Sequence, residues 1–250
     1  MFEDLQRKTV LITGASSGLG AGFAEIFARH GARLALAARR VEKLEALQRK
    51  LVEGGAEVQV VELDVTDENS VEAAVNAVVP NIDILVNNAG VATFGRSLEI
   101  SASDWDKTLD TNLRGLFLVA QAVARRMERG GTGGSIVNIS SITALRASRG
   151  LAAYSASKAA ASHLTKCLAL DWAVHDIRVN ALCPGYIETE MNAGFFETPE
   201  GLALIARTPM KKIGKIADLE GPLLLLASDA GRHITGIDLP VDGGHLVSSL

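Results

Sequence analysis

A tyrosine and a lysine four residues apart, Tyr154 and Lys158, are the side chains whose types and spacing best suit catalysis. They lie in a strongly helical stretch, where positions i and i+4 share one face, so the phenol and the ammonium point into the same space. A phenol with an ordinary pKa of about 10 is a poor base at neutral pH, and a neighbouring ammonium lowers that pKa. The pair predicts a proton donor and acceptor, although the same spacing also occurs by chance on solvated helix faces.

Hydroxyl and amide side chains occur at further positions that could complement this pair. Ser140 and Ser141 directly follow the apolar run Ser135–Ile139, which predicts a strand. A hydroxyl at a strand end can hold a substrate oxygen within reach of the phenol, and the chemistry of the two serines does not distinguish them. Asn112 lies inside a long helical stretch, where asparagine is locally unfavourable, so it is either a functional residue or a core amide with internal hydrogen bonds.

A glycine-rich segment, Thr13–Gly20, joins the first predicted strand to the first predicted helix. Its glycines, Gly14, Gly18 and Gly20, allow a tight turn and a close approach of the backbone to a pyrophosphate. The helix N-terminus adds free N–H groups and the positive end of the helix dipole. An ordinary strand–helix turn can have the same composition, but the position in the first βα unit favours a dinucleotide site.

Two arginines, Arg39 and Arg40, end the second predicted strand, where many dinucleotide sites carry an acid that binds the ribose hydroxyls. Cations at a helix N-terminus are unfavourable unless an anion neutralises them. A ribose 2′-phosphate is such an anion, because guanidinium groups bind phosphate in a bidentate fork. The arginines therefore favour NADP(H) over NAD(H), with two solvated surface residues as the alternative interpretation.

Short apolar or β-branched runs alternate with longer amphipathic stretches along the chain. The predicted strands are Thr9–Thr13, Arg33–Ala37, Glu57–Glu62, Ile82–Val86, Ser135–Ile139, Arg178–Cys183 and Ile237–Pro240. The predicted helices are Gly20–Arg29, Val41–Val52, Ser70–Val78, Asp104–Arg129, Ala153–Val174 and Asp218–Ser228. Most strands lack polar alternation, which is typical of parallel strands covered on both faces. The pattern predicts one α/β domain over residues 1–250, a Rossmann-type, doubly wound, seven-stranded parallel sheet with helices on both faces and a ligand crevice at the carboxyl ends of the strands.

The composition excludes several classes of protein. A formal net charge of −4 provides no basic field for nucleic acid or an anionic membrane, and the apolar runs are too short to span a bilayer. The first nine residues do not resemble a signal peptide, so a cytoplasmic location is expected. The two cysteines, Cys167 and Cys183, are expected to be small buried side chains, and the five histidines have no metal-ligand spacing.

The T-G-x-x-x-G-x-G form of the glycine loop and the joint spacing of Asn112, Ser141, Tyr154 and Lys158 resemble the short-chain dehydrogenase/reductase family. The resemblance extends from Gly14 to the Asp-Gly-Gly near the C-terminus and implies a nicotinamide-dependent oxidoreductase. It selects Ser141 over Ser140 and implies a catalytic set of Asn112, Ser141, Tyr154 and Lys158. In that set Lys158 would bind the nicotinamide ribose. Asn112 would interrupt its helix, and its backbone carbonyl would hold a water of a proton relay.

The resemblance also implies which residues bind the cofactor. Asp64 and Val65 would hold the adenine, the N-N-A-G segment would border the ribose, and the segment after Pro184 would close over the nicotinamide. The family's second basic residue is replaced here by Ser17, which argues against NADP(H) and keeps NAD(H) possible. The predicted cofactor-binding residues are Gly14, Ser16, Ser17, Gly18, Leu19, Gly20, Arg39, Arg40, Asp64, Val65, Asn88, Ala89, Gly90, Tyr154, Lys158, Pro184, Gly185, Ile187 and Thr189.

The predicted function is an NADP(H)-dependent interconversion of a ketone and a secondary alcohol, by a carbonyl reductase of a medium-sized hydrophobic or acyl substrate. An NAD-dependent alcohol dehydrogenase is the alternative; a non-catalytic cofactor-binding regulator and a sugar-nucleotide epimerase or dehydratase fit less well. Residues 190–215 are predicted to form a substrate lid. Its apolar side chains would line a cavity or an oligomer contact; they are Phe195, Phe196, Leu202, Ile205 and Met210. The two long helices resemble the family's dimer-forming pair, and with the apolar tail Gly243–Leu250 they predict a homotetramer.

Overall fold

Seven parallel strands form one sheet in the computed structural model, which describes residues 2–190 and 192–248. The strands are β1 (Thr9–Thr13), β2 (Arg33–Ala38), β3 (Val58–Glu62), β4 (Ile84–Asn87), β5 (Gly134–Ile139), β6 (Ile177–Pro184) and β7 (Asp238–Val241). Their spatial order is β3-β2-β1-β4-β5-β6-β7, and every neighbouring pair is parallel. The central strands are covered on both faces, and all five residues of β1 are buried. The predicted doubly wound fold is therefore confirmed.

Helices connect the strands and cover both faces of the sheet. They are α1 (Gly18–Arg29), α2 (Val41–Glu53), α3 (Glu68–Ala77), α4 (Ala102–Leu109), α5 (Leu116–Gly130), α6 (Ala152–Trp172), α7 (Pro199–Arg207) and α8 (Glu220–Ala227). One hydrophobic core includes Phe23 and Phe27 of α1, and the core on the other face includes Val119 and Met127 of α5. The two hydrophobic cores, one on each face of the sheet, thus hold the carboxyl ends of the strands in fixed positions.

The helix predicted over Asp104–Arg129 is interrupted. The chain instead forms α4, a π-helical segment Asp110–Gly115, and α5. Asn112, at the centre of the π-helical segment, is fully buried and bonds the backbone of Val91 in a distant loop. The family resemblance implies an interruption at Asn112, whereas the apolar period alone does not indicate it, because the contact that accompanies the break joins residues 21 positions apart.

Other predicted boundaries are shifted by a few residues, and one helix was missed. The helix predicted from Asp218 begins at Glu220 and is preceded by a 3₁₀ turn, Ile216–Leu219. Helix α7 was not predicted; Thr198 caps its N-terminus by accepting a hydrogen bond from the Gly201 N–H. Met191 of the predicted lid and the last two residues of the predicted apolar tail, Ser249 and Leu250, lie outside the described residues.

The strand order reverses between β1 and β4, so that their carboxyl ends border the crevice expected for a nucleotide. Side chains join the two strand ends here. The Thr13 hydroxyl accepts the backbone N–H groups of Asn88 and Ala89, and the Asn88 amide donates to the carbonyl of Thr13. The fold therefore builds a rigid platform where the glycine loop begins.

No helix within residues 2–190 and 192–248 combines the length and the apolar character needed to cross a membrane.

Cys183 is buried, as predicted, whereas Cys167 is exposed on α6, so that the prediction for Cys167 was wrong. In the same described ranges, no group of three or more His, Cys, Asp or Glu side chains could hold a metal ion.

Candidate active site

A cleft of about 530 Å³ opens along the carboxyl ends of the strands. Most of the predicted cofactor and catalytic residues line it: Gly14, Ser16, Ser17, Gly18, Leu19, Arg39, Arg40, Asp64, Val65, Asn88, Ala89, Gly90, Ser141, Tyr154, Lys158, Pro184 and Gly185. We call the part around the glycine loop, Arg39, Arg40 and Asp64 the outer end. The part around Ser141, Tyr154 and Lys158 is the inner end.

The glycine loop needs its glycines for both conformation and space. Gly14 has φ of +65°, and a Cβ there would lie 2.9 Å from the Cα of Ala89. A Cβ on Gly20 would lie 2.4 Å from the Gly14 carbonyl oxygen. Gly20 therefore lies behind the cleft and lets α1 approach the loop. The N-cap residue of α1, Ser17, makes no side-chain capping bond, so the helix N-terminus is available to an anion.

The two arginines of the outer end differ in their partners. The Arg40 guanidinium donates hydrogen bonds to the hydroxyls of Ser16 and Ser17 at 2.8 and 2.9 Å, beside the start of α1. The Arg39 guanidinium instead lies 3.8 Å from the Asp64 carboxylate, and 70% of its side chain is exposed. Arg40 and the hydroxyls of Ser16 and Ser17 form a cradle that fits a phosphate group, beside the α1 N-terminus that is expected to bind the pyrophosphate.

Asp64 is held ionised at the other side of the outer end. Burial raises the pKa of its carboxyl, but hydrogen bonds from the Thr66 N–H and hydroxyl and the nearby Arg39 outweigh burial, so the pKa is lowered. Arg39 is thus partly neutralised within the protein. The sequence does not distinguish Arg39 from Arg40, because only the fold gives the two side chains different partners.

The two candidate serines have different surroundings. The Ser140 hydroxyl donates to the backbone carbonyl of Lys158 at 3.1 Å and contacts the Ser162 hydroxyl, so it joins β5 to α6. The Ser141 hydroxyl accepts hydrogen bonds from the N–H and the hydroxyl of Thr143, and it lies close enough to the Tyr154 phenol to lower the pKa of that phenol. Successive side chains of an extended segment point to opposite sides, which explains the separation. Ser141 is the serine that the structure brings to Tyr154.

Lys158 and Tyr154 lie together, as the helical spacing predicts. The Lys158 ammonium is 5.7 Å from the centre of the Tyr154 ring and donates a hydrogen bond to the Ile139 carbonyl at 2.7 Å. The lysine side chain is almost completely enclosed (the residue is 4% exposed), and burial lowers its pKa to about 8. A lysine with this pKa gains or loses a proton near physiological pH.

The expected lowering of the Tyr154 pKa by Lys158 is outweighed, and the pKa of the phenol is raised. Burial raises the pKa of the Tyr154 phenol, a hydrogen bond from Ser141 lowers it, and the nearby Cys183 raises it. Burial penalises the phenolate, and the Lys158 ammonium is directed to the Ile139 carbonyl and not to the phenol oxygen. The expectation from the sequence included the charge of Lys158 but not the cost of desolvating the Tyr154 phenolate.

Asn112 uses its whole side chain in structural hydrogen bonds. Its amide oxygen accepts the Val91 N–H at 2.8 Å, and its amide nitrogen donates to the Val91 carbonyl and to the Ser157 hydroxyl. The Ser157 hydroxyl in turn donates to the backbone carbonyl of Tyr154. Asn112 therefore joins the loop after β4 to α6, and only its backbone is left for the predicted proton relay.

Besides Gly20, two predicted cofactor residues do not line the cleft, Ile187 and Thr189. Ile187 is buried, pairs with Gly214, and lines a separate cavity of about 220 Å³ together with Tyr186 and Met210. The N–H of Thr189 donates to the side chain of Asn192. Both predictions rested on the resemblance alone.

Some residues of the cleft were not predicted, and the apolar side chains of the predicted lid differ in burial. Val91, Ala92 and Thr111 line the cleft without having been predicted, and the contiguity of Val91 with the N-N-A-G segment was the available signal. Among the apolar residues of the predicted lid, Phe196 is buried, whereas Phe195 and Leu202 are largely exposed.

Comparisons with known proteins agree with this geometry. A family model described as enoyl-(acyl carrier protein) reductase matches residues 14–245. Gluconate 5-dehydrogenase of Gluconobacter oxydans is 40% identical over 242 residues, covering 95% of this chain and 94% of that protein. D-Threitol dehydrogenase of Mycolicibacterium smegmatis is 40% identical over 246 residues, covering 97% and 94%. The crystal structure of a gluconate 5-dehydrogenase from Burkholderia cenocepacia in complex with NADP and tartrate has a TM-score of 0.94 at 36% identity, covering 99% of each chain.

Proposed function

Because the chain belongs to the short-chain dehydrogenase/reductase family, we propose that it is an NADP(H)-dependent enzyme that interconverts one secondary alcohol of a polyhydroxylated substrate and the corresponding ketone. The observation that carries the proposal is the placement of Ser141, Tyr154 and Lys158 at the inner end of one cleft. The phosphate cradle of Arg40 lies at the outer end of the same cleft.

The outer end supports NADP(H) as the cofactor. Arg40 is already oriented by Ser16 and Ser17, and the 2′-phosphate of the adenosine ribose is the group that this cradle suits. The NADP complex of the related gluconate 5-dehydrogenase is consistent with this choice. When bound, the nicotinamide supplies or accepts the hydride.

The inner end supports the proton chemistry. Ser141 and Tyr154 would bind the oxygen of the alcohol or ketone, and Tyr154 would donate or accept its proton. Lys158 would hold positive charge beside the phenol and bind the nicotinamide ribose. The backbone of Asn112 remains our candidate for the proton relay, because its side chain is engaged elsewhere.

The substrate class rests on two observations. The relatives named above are dehydrogenases of a sugar acid and of a polyol. Two of the apolar lid side chains predicted to line a cavity or an oligomer contact, Phe195 and Leu202, are 43% and 56% exposed. An acyl thioester is the second candidate, favoured by the description of the matching family model.

We also propose that residues 190–215 form a lid, and that the chain forms a homotetramer through exposed side chains of α6 such as Leu170.

A substrate panel tests the proposal. Gluconate, threitol and galactitol are oxidised with NADP⁺ and with NAD⁺, and a 3-oxoacyl thioester is reduced with NADPH and with NADH, each followed by nicotinamide absorbance. We expect turnover of a polyhydroxylated substrate with NADP⁺ as the better cofactor. Reduction of the thioester alone would favour the second candidate. Tight NADPH binding without turnover of any substrate would indicate a regulator and overturn the proposal.

A further inference from the structure

We propose that Thr143 makes the Ser141 hydroxyl an obligatory hydrogen-bond donor toward the reacting oxygen, and is thereby a positioning residue of the reaction. The inference rests on the proposed function, since it assigns a task to a residue that supports its catalytic serine. Thr143 was not among the predicted site residues and does not line the cleft.

Both hydrogen-bond donors of Thr143 converge on one atom. The Thr143 N–H donates to the Ser141 Oγ at 3.1 Å, and the Thr143 hydroxyl donates to the same oxygen at 3.0 Å. A serine hydroxyl has two lone pairs and one proton. Thr143 occupies both lone pairs, so the remaining capacity of Ser141 is to donate its proton.

Capping of the adjacent 3₁₀ turn, Ile142–Ala144, explains only one of these bonds. A cap needs a single N–H donor, as at Ser101 and Thr198, where the hydroxyl accepts one backbone N–H. Those two hydroxyls then donate to acceptors three residues away in the sequence, the Asp104 carboxylate and the Phe195 carbonyl. Ser141 instead receives a second donor, the Thr143 hydroxyl, and its own hydroxyl lowers the pKa of the nearby Tyr154 phenol.

The direction of this bond matters for the proposed reaction. A ketone oxygen and a phenolate both only accept hydrogen bonds, so a serine that only donates suits both. It also removes an unproductive arrangement, in which Ser141 would accept the Tyr154 proton and withhold it from the substrate. With both lone pairs of Ser141 occupied, the substrate oxygen is the acceptor left for that proton.

The hydroxyl of Thr143 can be removed while its shape is kept. In Thr143→Val the backbone N–H remains and one lone pair of Ser141 becomes free. We expect kcat with NADP⁺ and gluconate, or threitol, to fall by roughly three- to tenfold, the value of one hydrogen bond, with an unchanged KM for NADP⁺. Thr143→Ser retains the hydroxyl and should restore kcat. Thr132→Val is the matched control, because Thr132 is exposed and makes one hydroxyl hydrogen bond away from the cleft.

A second measurement does not require turnover. The chain has two tyrosines, so a Tyr186→Phe background leaves Tyr154 as the single phenol titrated by ultraviolet absorbance. Lys158 on α6 and Cys183 on β6 are the titratable groups beside this phenol. In this background Thr143→Val should raise the pKa of Tyr154, because Ser141 is no longer committed to donating to the phenolate, whereas Thr143→Ser should leave it unchanged.

Two results would overturn the inference: a Thr143→Val enzyme with wild-type kcat and Tyr154 titration, or equal losses in the Val and Ser variants, which would indicate a purely structural role. Thermal unfolding monitors the fold, and Thr143→Ala replaces the valine variant if that protein does not fold. An inactive wild-type enzyme would refute the proposed function, and the Tyr154 titration would still decide the role of Thr143.

Discussion

The outer end of the cleft is exposed and charged, whereas the inner end is buried. Arg39 and Arg40 reach toward solvent from the carboxyl end of β2, and Asp64 partly balances them. Ser141 and Lys158, by contrast, are 8% and 4% exposed. Water and salt screen interactions at the outer end, so each one contributes modestly to affinity. At the inner end burial itself changes pKa values, so each side chain affects the chemistry strongly.

The largest effect should come from the phenol of the inner end. Tyr154→Phe removes the proposed proton donor while keeping the ring, and we expect kcat to fall by about 10²–10⁴-fold. The Kd for NADPH, measured by fluorescence titration, should change little, because the outer end is untouched. Tyr186→Phe is the matched control, since Tyr186 lines the separate cavity. Near wild-type activity of Tyr154→Phe would break the assignment of the inner end.

The second effect concerns the buried charge of Lys158 in the cofactor-free protein. Its pKa is lowered from 10.5 to about 8, so between these values the unfolded chain binds a proton that the folded protein does not. Wild-type stability relative to Lys158→Met should therefore rise with pH across this window, by up to about 3 kcal/mol. Denaturant unfolding at several pH values measures it.

Lys50→Met is the control for this linkage. Lys50 is exposed and its pKa is raised, chiefly by a hydrogen bond to Glu25, so its replacement should not reproduce the rise. Parallel stability curves for wild type and Lys158→Met would contradict the strong burial of this ammonium. The Met variant should also lose turnover, which would make Lys158 a residue retained for function at a cost in stability.

The smallest effect should come from the outer end. Arg40→Ala should raise KM for NADP⁺ by about tenfold, as expected for one partly screened charge-assisted contact, and leave KM for NAD⁺ nearly unchanged. Arg39→Ala should change KM for NADP⁺ less, because Arg39 faces Asp64. Steady-state kinetics with both cofactors measure the ratio. Equal losses in the two variants would show that the arginines act as a pair, as the sequence alone suggested.

Features set by local sequence could be predicted, whereas features set by contacts between distant residues could not. Strand β1 was predicted at its observed bounds, because an uninterrupted apolar run is a local signal. The π-helical break at Asn112 was marked by the residue type but not by the apolar period, because its side-chain partner, Val91, lies in another loop. The raised pKa of Tyr154 likewise depends on burial, which no spacing encodes.

The sequence by itself determined the doubly wound sheet, the glycine loop and the pairing of Tyr154 with Lys158. These depend on local periodicity and on contacts within one helix or one turn. Only the tertiary structure separated the surroundings of Ser141 from those of Ser140, which the residue types alone left equivalent, bonded Arg40 and not Arg39 to the two serines of the glycine loop, and directed both donors of Thr143 to Ser141. Each of these depends on which way a side chain points once separate strands and loops are packed together, and packing is a property of the whole chain.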